Sequence, residues 1–296
     1  MTPQPDWSAC ARSRAEFVAL VNERGVALYR DLPWRNIDDP YGVLVSEVML
    51  QQTQVTRVDG RWQRWLMRFP TVDALAEAEV ADVLEEWQGM GYNRRALALR
   101  NAARAVMDGG GELPRDERDL VALPGIGPAT AAGIRAFAFN LPATYLETNV
   151  RTVFLHELFS DAEDVPDSAI VPLVRDTCPA DASDPADDPR TWYYALLDYG
   201  AHLKRTVPNP SRRSRTHVRQ SRFEGSHRQK RAEVVRLLLE AHQLGMGLDE
   251  GAVLDGIARA EAAAGRPAPD PCELLAILDE LVAEGFCRMQ DGAWYV

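Results

Sequence analysis

Apolar positions recur at helical spacing through the first two hundred residues. Val80, Val83, Leu84 and Trp87 fall on one face and predict a helix over 81–87. A second helix is expected over 96–107, rich in Ala, Leu and Arg and stopped by Gly109-Gly110-Gly111. Further helices are expected over 131–139, 150–159 and 192–203. Val43 to Leu50 is apolar on nearly every side, the mark of a buried helix. Alternation of strand type is almost missing. The stretch 179–190 is rich in Asp and Pro and reads as an exposed loop.

After residue 225 the pattern changes. Helices are expected over 228–241, 249–263 (with Asp249 as N-cap) and 272–284. The chain then ends in two short apolar runs around Asp291-Gly292, a hairpin signal. Three helices and a hairpin are the element order of a winged helix. The division expected is 1–225 and 226–296, the second part reading as winged-helix-like or as a small helical extension packed on the first. The fold class is mainly α.

Composition is that of an ordinary globular protein, with 46% hydrophobic and 26% charged residues in 296. Met1 to Ala11 is polar and does not read as a signal peptide. No stretch approaches the roughly 20 apolar residues that span a bilayer. The expected location is therefore the cytoplasm, on the nucleoid. Four cysteines, Cys10, Cys178, Cys272 and Cys287, match neither zinc nor disulfide spacing, so no metal site is expected.

The net charge of −11 argues at first against a nucleic-acid partner. Its distribution argues for one. Ten Lys and Arg residues and a single acid, Glu224, lie between Lys204 and Arg231, a net +9 against −20 for the rest. Such a segment is a footprint for phosphates, or a solvated basic linker.

Leu123-Pro-Gly-Ile-Gly-Pro-Ala-Thr130 is the most informative short motif. Gly125 and Gly127 permit positive φ in a tight turn, and Pro128 suits the first turn of a helix. The backbone amides of Gly125, Ile126, Gly127, Ala129 and Thr130 would then face a phosphate oxygen. Leu123 and Ile126 would anchor the turn. A helix–hairpin–helix grips a DNA backbone in this way; a plain helix-connecting turn has the same outline.

Glu47 is the one acid in the apolar run 43–50. Low dielectric disfavours its charged form, and a carboxylic acid that keeps its proton near neutral pH can act as a general acid. A salt-bridged or partly exposed glutamate is the competing reading. Gln51, Gln52, Thr53 and Gln54 follow at once and offer amides to a base edge; Trp34-Arg35 upstream offers an aromatic face and a cation. A second acid, Glu147, lies with Asn149 just ahead of a helix that Thr148 or Asn149 would cap. A carboxylate there would stabilise an oxocarbenium-like sugar, or be a helix-start acid favoured by the dipole.

Pro33-Trp-Arg35, Ser46 to Val55, Gly89-Met-Gly-Tyr92 and Leu123 to Gly127 together resemble the MutY-type adenine DNA glycosylases of the helix–hairpin–helix superfamily. The resemblance covers roughly residues 25–205, and the run from Glu47 to Val55 is its most specific part. It implies Glu47 as the acid that protonates the adenine ring and later helps activate water, with Glu147 and Asn149 as the second acid and its amide. It implies Arg35 on the flipped base and Gln52 as a wedge near the opposite base. It places Trp34 and Tyr194 near the base, and Gln51, Thr53 and Tyr92 on DNA. Bifunctional members carry a lysine where this chain has Ala129, so a hydrolase without strand cleavage is expected.

Three departures stand out. No cysteine occurs between Lys204 and Arg215, where the family's iron–sulfur ligands would lie, so no cluster and no other cofactor is expected. Arg212, Arg213 and Arg215 would meet phosphates directly. Glu147 replaces the usual Asp. The C-terminal part is too short for the family's Nudix-like domain. The expected partner is duplex DNA with a mispaired or damaged base, bound by a monomer, with adenine opposite 8-oxoguanine or guanine as leading substrate. Thymine or uracil opposite guanine is the enzymatic alternative, and a noncatalytic DNA-binding regulator the alternative of another class.

Overall fold

The computed structural model describes residues 4–35, 37–181, 188–217 and 222–296. Parts of the expected loop at 179–190 and of the basic segment fall outside these residues. In chain order the α-helices are α1 Arg14–Leu28, α2 Pro40–Leu50, α3 Val55–Val58, α4 Arg61–Arg68 and α5 Val72–Glu77. Then come α6 Val80–Trp87, α7 Arg94–Asp108, α8 Glu117–Ala122, α9 Pro128–Phe139 and α10 Thr148–Leu158. The last are α11 Asp167–Thr177, α12 Pro189–Thr206, α13 His227–Gln243, α14 Glu250–Ala263 and α15 Pro271–Ala283. Strands β1 Arg288–Gln290 and β2 Ala293–Tyr295 close the chain as an antiparallel hairpin. Each helix read from periodicity is present, with ends that fall within three residues of those expected. Among the described residues no helix is long and apolar enough to cross a membrane.

Two compact units share the chain, each built from separated segments. The first holds Met1–Val48, Leu113–Ala122 and Ile126–Arg219; the second holds Met49–Glu112, Leu123–Gly125 and Gln220–Val296. One change of unit falls between Arg219 and Gln220, near the change of pattern at residue 225, and others fall earlier in the chain. The winged-helix-like elements belong with α3–α7.

In the first unit α12 is the central helix, lying against both α1 and α10. Phe17, Phe154, Trp192, Tyr193 and Leu196 are buried there. Close approach depends on two glycines. A Cβ on Gly25 would lie 2.4 Å from that of Ala195, and one on Gly200 would lie 2.2 Å from the carbonyl oxygen of Asn149. At Gly200 the obstacle is backbone, which cannot swing aside. Gly200→Ala is therefore expected to cost about 3 kcal/mol through overpacking, lowering the thermal midpoint by roughly 6–12 °C. An unchanged midpoint in a melting experiment would refute this spacing.

In the second unit α7 packs on α5 and α6, and Trp65 meets Trp87 edge to face at 5.4 Å. Helix α13 packs on α14, α15 and β2 and also on α6. Ion pairs reinforce this packing: Arg94 pairs with Glu284, and Arg231 reaches Glu280 and Glu284 at 2.6 Å. Asp249 caps α14 by accepting from the Ala252 amide at 2.8 Å. Asp291 and Gly292, both at positive φ, make the hairpin turn that the sequence predicts.

Candidate active site

Helix α2 owes its position to its composition. Val43, Leu44, Val45, Ser46, Val48 and Met49 are all buried, so hydrophobic burial fixes it on nearly every side. Glu47 is carried into this setting and keeps only partial access to solvent. Burial, and next the nearby charge of Glu147, push its pKa from 4.5 up to about 8; a hydrogen bond from Tyr145 opposes this rise. Glu47 is thus mostly protonated at neutral pH. Gly133 of α9 makes room for it: a Cβ there would lie 2.1 Å from Glu47 Oε2.

Glu147 occupies the N-cap of α10, accepting from the Asn149 amide and from the Val150 amide at 2.9 Å. The expectation that Thr148 or Asn149 caps this helix is corrected. Glutamate reaches the first-turn amides with its longer stem, and the side chain of Asn149 is left for another task. Burial raises the Glu147 pKa, while the two amides and Lys204 pull against it. Asn149 accepts from Lys204 Nζ at 2.7 Å and holds its own amide 3.4 Å from Glu147 Oε2. Lys204, Asn149 and Glu147 therefore form one linked set beside Glu47.

Tyr194 stacks on Phe137, with ring centroids 4.6 Å apart and planes 5° from parallel. The Arg35 guanidinium lies 4.4 Å from the Tyr194 ring centre. Arg35 is only 3% exposed, and Trp34 5%. Both terminal nitrogens of Arg35 donate to Asp198 at 2.7 Å, and one also donates to the Arg30 carbonyl. The expectation that Arg35 and Trp34 present themselves to a base is corrected. Buried charge demands a buried partner, and Asp198 takes the donors. Arg35 instead positions the Tyr194 ring.

The hairpin has the expected anchors, with Leu123 and Ile126 buried. Only one of its glycines uses positive φ: Gly125 is at +75°, whereas Gly127 is at −84° and serves as N-cap of α9. A Cβ on Gly125 would lie 2.6 Å from that of Ala98, a second reason for glycine there. Pro128 occupies the first turn, and Gly127 has no side chain to cap the amides of Ala129 and Thr130. Gly125, Gly127 and Ala129 are exposed, as a phosphate grip requires.

The loop after α2 lies in the second unit. Arg95 of α7 donates to the carbonyls of Gln51 at 2.5 Å and Gly91 at 2.9 Å, and to Thr53 Oγ1 at 3.0 Å. It ties the loop of Gln51, Gln52 and Thr53 to the turn before Tyr92. Burial lowers its pKa to about 10. Gln52 is exposed at φ +52° and Tyr92 holds φ +51°.

Beyond α12 the basic residues diverge. Arg213 donates to the carbonyls of Leu155, Phe159 and Ser160 at the end of α10. The expectation of a phosphate contact for Arg213 is corrected: its donors serve the carbonyls that a helix terminus leaves unpaired. Arg215 pairs with Asp164 at 2.8 Å, and Arg212 is exposed. The residues here do not fit an iron–sulfur cluster: between Lys204 and Arg215 there is no cysteine thiolate to ligate iron, and Ser211 and Ser214 are buried. Among the described residues no group of three or more His, Cys, Asp and Glu could hold a metal ion.

Sequence reasoning missed Tyr145, Lys204, Gly133, Asp198 and Arg95. Asp198 had a usable signal, since an acid in the apolar stretch Ala195 to Tyr199 is the same anomaly that singled out Glu47. The others act through contacts across the fold.

Residues 45–171 match the HhH-GPD superfamily of base excision DNA repair proteins. An adenine DNA glycosylase of Mycolicibacterium smegmatis is 37% identical over 174 residues, 58% of each chain. One from Mycobacterium tuberculosis is 42% identical over 137 residues, 46% of this chain and 45% of that one. The human adenine DNA glycosylase is 40% identical over 134 residues, 42% of this chain and 24% of that one. The chain thus spans about half the length of the mycobacterial relatives. A thermostable thymine-DNA glycosylase superposes with a TM-score of 0.57 at 23% identity, covering 67% of this chain and 90% of that one. Endonuclease III from a noncovalent DNA complex does so at 0.52 and 16%, covering 73% and 92%. These likenesses speak for the fold. The hairpin after Leu123 and the buried acid of α2 both lie in residues 45–171, the stretch similar to the HhH-GPD superfamily of base excision DNA repair proteins.

Proposed function

We propose that the protein is a monofunctional adenine DNA glycosylase, acting as a monomer on duplex DNA in which adenine lies opposite 8-oxoguanine or guanine. The observation that carries this reading is Glu47, carried into an apolar helix, hydrogen-bonded by Tyr145 and set beside Glu147, a placement that raises its pKa. The target nucleotide leaves the stack because its glycosidic bond is out of reach inside a duplex. Glu47 gives its proton to a ring nitrogen of the leaving base, and the C1′–N bond breaks with its electron pair moving to the base. Glu147, fixed by Asn149 and the α10 amides, stabilises the oxocarbenium-like sugar. Water adds to C1′ and loses a proton to Glu47, leaving free adenine and an abasic site. Ala129 supplies no amine for a Schiff base, so the strand stays intact. The reading needs no iron–sulfur cluster, since Arg213 and the buried serines already organise the segment after α12.

One assay tests it. Duplexes carrying A·8-oxoguanine, A·G, T·G and U·G are incubated with the protein, with and without alkali. Strand breaks only after alkali, and only in the adenine duplexes, are the expected result. Release of thymine or uracil instead would move the substrate assignment, and breaks without alkali would overturn the monofunctional one.

A further inference from the structure

Helix α12 meets Asn149 at two points one turn apart. At Gly200 the missing side chain admits the Asn149 backbone: a Cβ there would lie 2.2 Å from its carbonyl oxygen and 2.8 Å from its Cα. Four residues on, on the same face of the helix, Lys204 donates from Nζ to Asn149 Oδ1 at 2.7 Å. Backbone and side chain of Asn149 are thus both held by α12, within the first compact unit.

The chemistry of the donor decides which way the amide faces. An ammonium carries three donors and no acceptor, so Asn149 must turn its oxygen to Lys204. Its NH2 group then points the other way and lies 3.4 Å from Glu147 Oε2. Glu147 Oε1 accepts from the Asn149 backbone amide. Each oxygen of Glu147 therefore meets a donor from Asn149. Without the ammonium the amide gains nothing from this orientation, and a flip would set its oxygen against the carboxylate.

Lys204 also brings charge. Among the described residues the titratable groups facing Glu147 are Glu47 from α2, Tyr145 from the segment before α10, Arg151 from α10 and Lys204 from α12. The Arg151 guanidinium is committed to Asp167, at 2.9 and 3.0 Å. Lys204 is half-buried; burial lowers its pKa, and the charge of Glu147 opposes that fall. Lys204 in turn opposes the rise that burial imposes on Glu147. The two stabilise each other's charged forms.

We propose that Lys204 is a positioning residue for base excision, acting through Asn149 to aim Glu147 at the sugar and through its own charge to keep Glu147 an anion beside Glu47. One acid gives a proton and the other stabilises a cation, and this difference between two neighbouring carboxyl groups depends on Lys204. The proposal rests on the glycosylase reading for the reaction served.

Lys204→Met, which keeps the stem and removes the charge, and Lys204→Arg, which keeps the charge, test it on the full chain. The Glu147 carboxyl is first titrated without DNA, by carbon-13 NMR on glutamate-labelled protein, its signal assigned by its loss in Glu147→Gln. A nearby opposite charge is worth about one pH unit or more, so Glu147 is expected to titrate about one unit higher in Lys204→Met and close to the wild type in Lys204→Arg. The single-turnover rate of adenine release is then followed from pH 5 to 9. The acid limb of the profile is expected to move up with the carboxyl in Lys204→Met. That variant is then about tenfold slower on the acid side, one pH unit being a factor of ten, while DNA affinity stays within a few fold. An unmoved carboxyl titration in Lys204→Met overturns the proposal, whatever the melting temperature. So does an equal shift in Lys204→Arg, or an acid limb that stays in place while the carboxyl moves. Failure of the glycosylase reading looks different: no base release from any duplex, with the shift of the carboxyl titration still present.

Discussion

Glu47→Gln is expected to lower the single-turnover rate of base release by about 10³-fold or more while DNA affinity stays within a few fold. General acid catalysis contributes roughly 10²–10⁴, and glutamine keeps the shape of the side chain without a proton to give. The wild-type rate is expected to fall as pH rises through about 8, where Glu47 loses its proton. Retained turnover in the variant would remove Glu47 from the mechanism.

The same substitution makes a stability prediction of opposite sign. The folded pKa of Glu47 is raised to about 8 from an ordinary 4.5. Between those values the native state holds a proton that the unfolded chain has released. Stability therefore falls as pH rises across this window. Each tenfold difference in proton affinity between the two states corresponds to about 1.4 kcal/mol, so the loss is on the order of a few kcal/mol by pH 8–9. Glu47→Gln removes that loss. Its melting temperature is expected to exceed the wild type's by a margin that widens from pH 5 to pH 9. A constant margin would show that Glu47 is not the titrating group.

Gly133→Ala is expected to cost about 10²-fold in base-release rate without unfolding the protein. The new methyl would lie 2.1 Å from Glu47 Oε2, 3.0 Å from its carboxyl carbon and 3.1 Å from a Tyr145 ring carbon. The nearest obstacle is the end of a flexible side chain, so the carboxylate yields and the backbone does not. A displacement of about 1 Å at a reacting group can cost 10²-fold. Alanine also favours the interior of α9 over glycine by up to about 1 kcal/mol, which offsets part of the strain. A normal rate would mean that the carboxylate has room to spare. A collapsed melting temperature would mean that Gly133 serves packing alone.

Together the two variants separate chemistry from placement. Glutamine keeps the position and removes the proton; alanine at 133 keeps the proton and moves the position. A pH–rate profile distinguishes them, since only the second retains the fall near pH 8.

Much of this architecture is legible in the residues themselves. Helices α6, α7, α9, α10, α12 and α13 to α15 announce themselves through apolar spacing, and the hairpin turn through Asp291-Gly292, because these are local properties of backbone and side chain; α8 and α11 do not. Glu47 is legible for a related reason: a carboxylate among Val, Leu and Met is anomalous wherever the helix packs. The hairpin at Leu123 also follows from short-range geometry, although only Gly125 uses the left-handed conformation that both glycines permit.

What sequence could not supply was partnership. Arg35 reads as a cation offered to a base next to Trp34, yet its donors go to Asp198, 163 residues away. Arg213 reads as a phosphate contact, yet its donors complete the end of α10. Charge and hydrogen-bonding capacity are written in the residue type, but the partner that consumes them is chosen by the chain's return. The division of the molecule shows the same limit: a change of pattern at residue 225 is real, but compactness gathers Met49–Glu112 with Gln220–Val296. The sequence alone determined a helical chain with an anomalous acid at Glu47 and a glycine turn after Leu123. Tertiary structure alone decided that Tyr145 and Gly133 flank that acid, and that Lys204 and Asn149 steady its companion. The physical reason is range: propensity and burial pattern act over a few residues, whereas a site is made by segments that meet only when the chain folds.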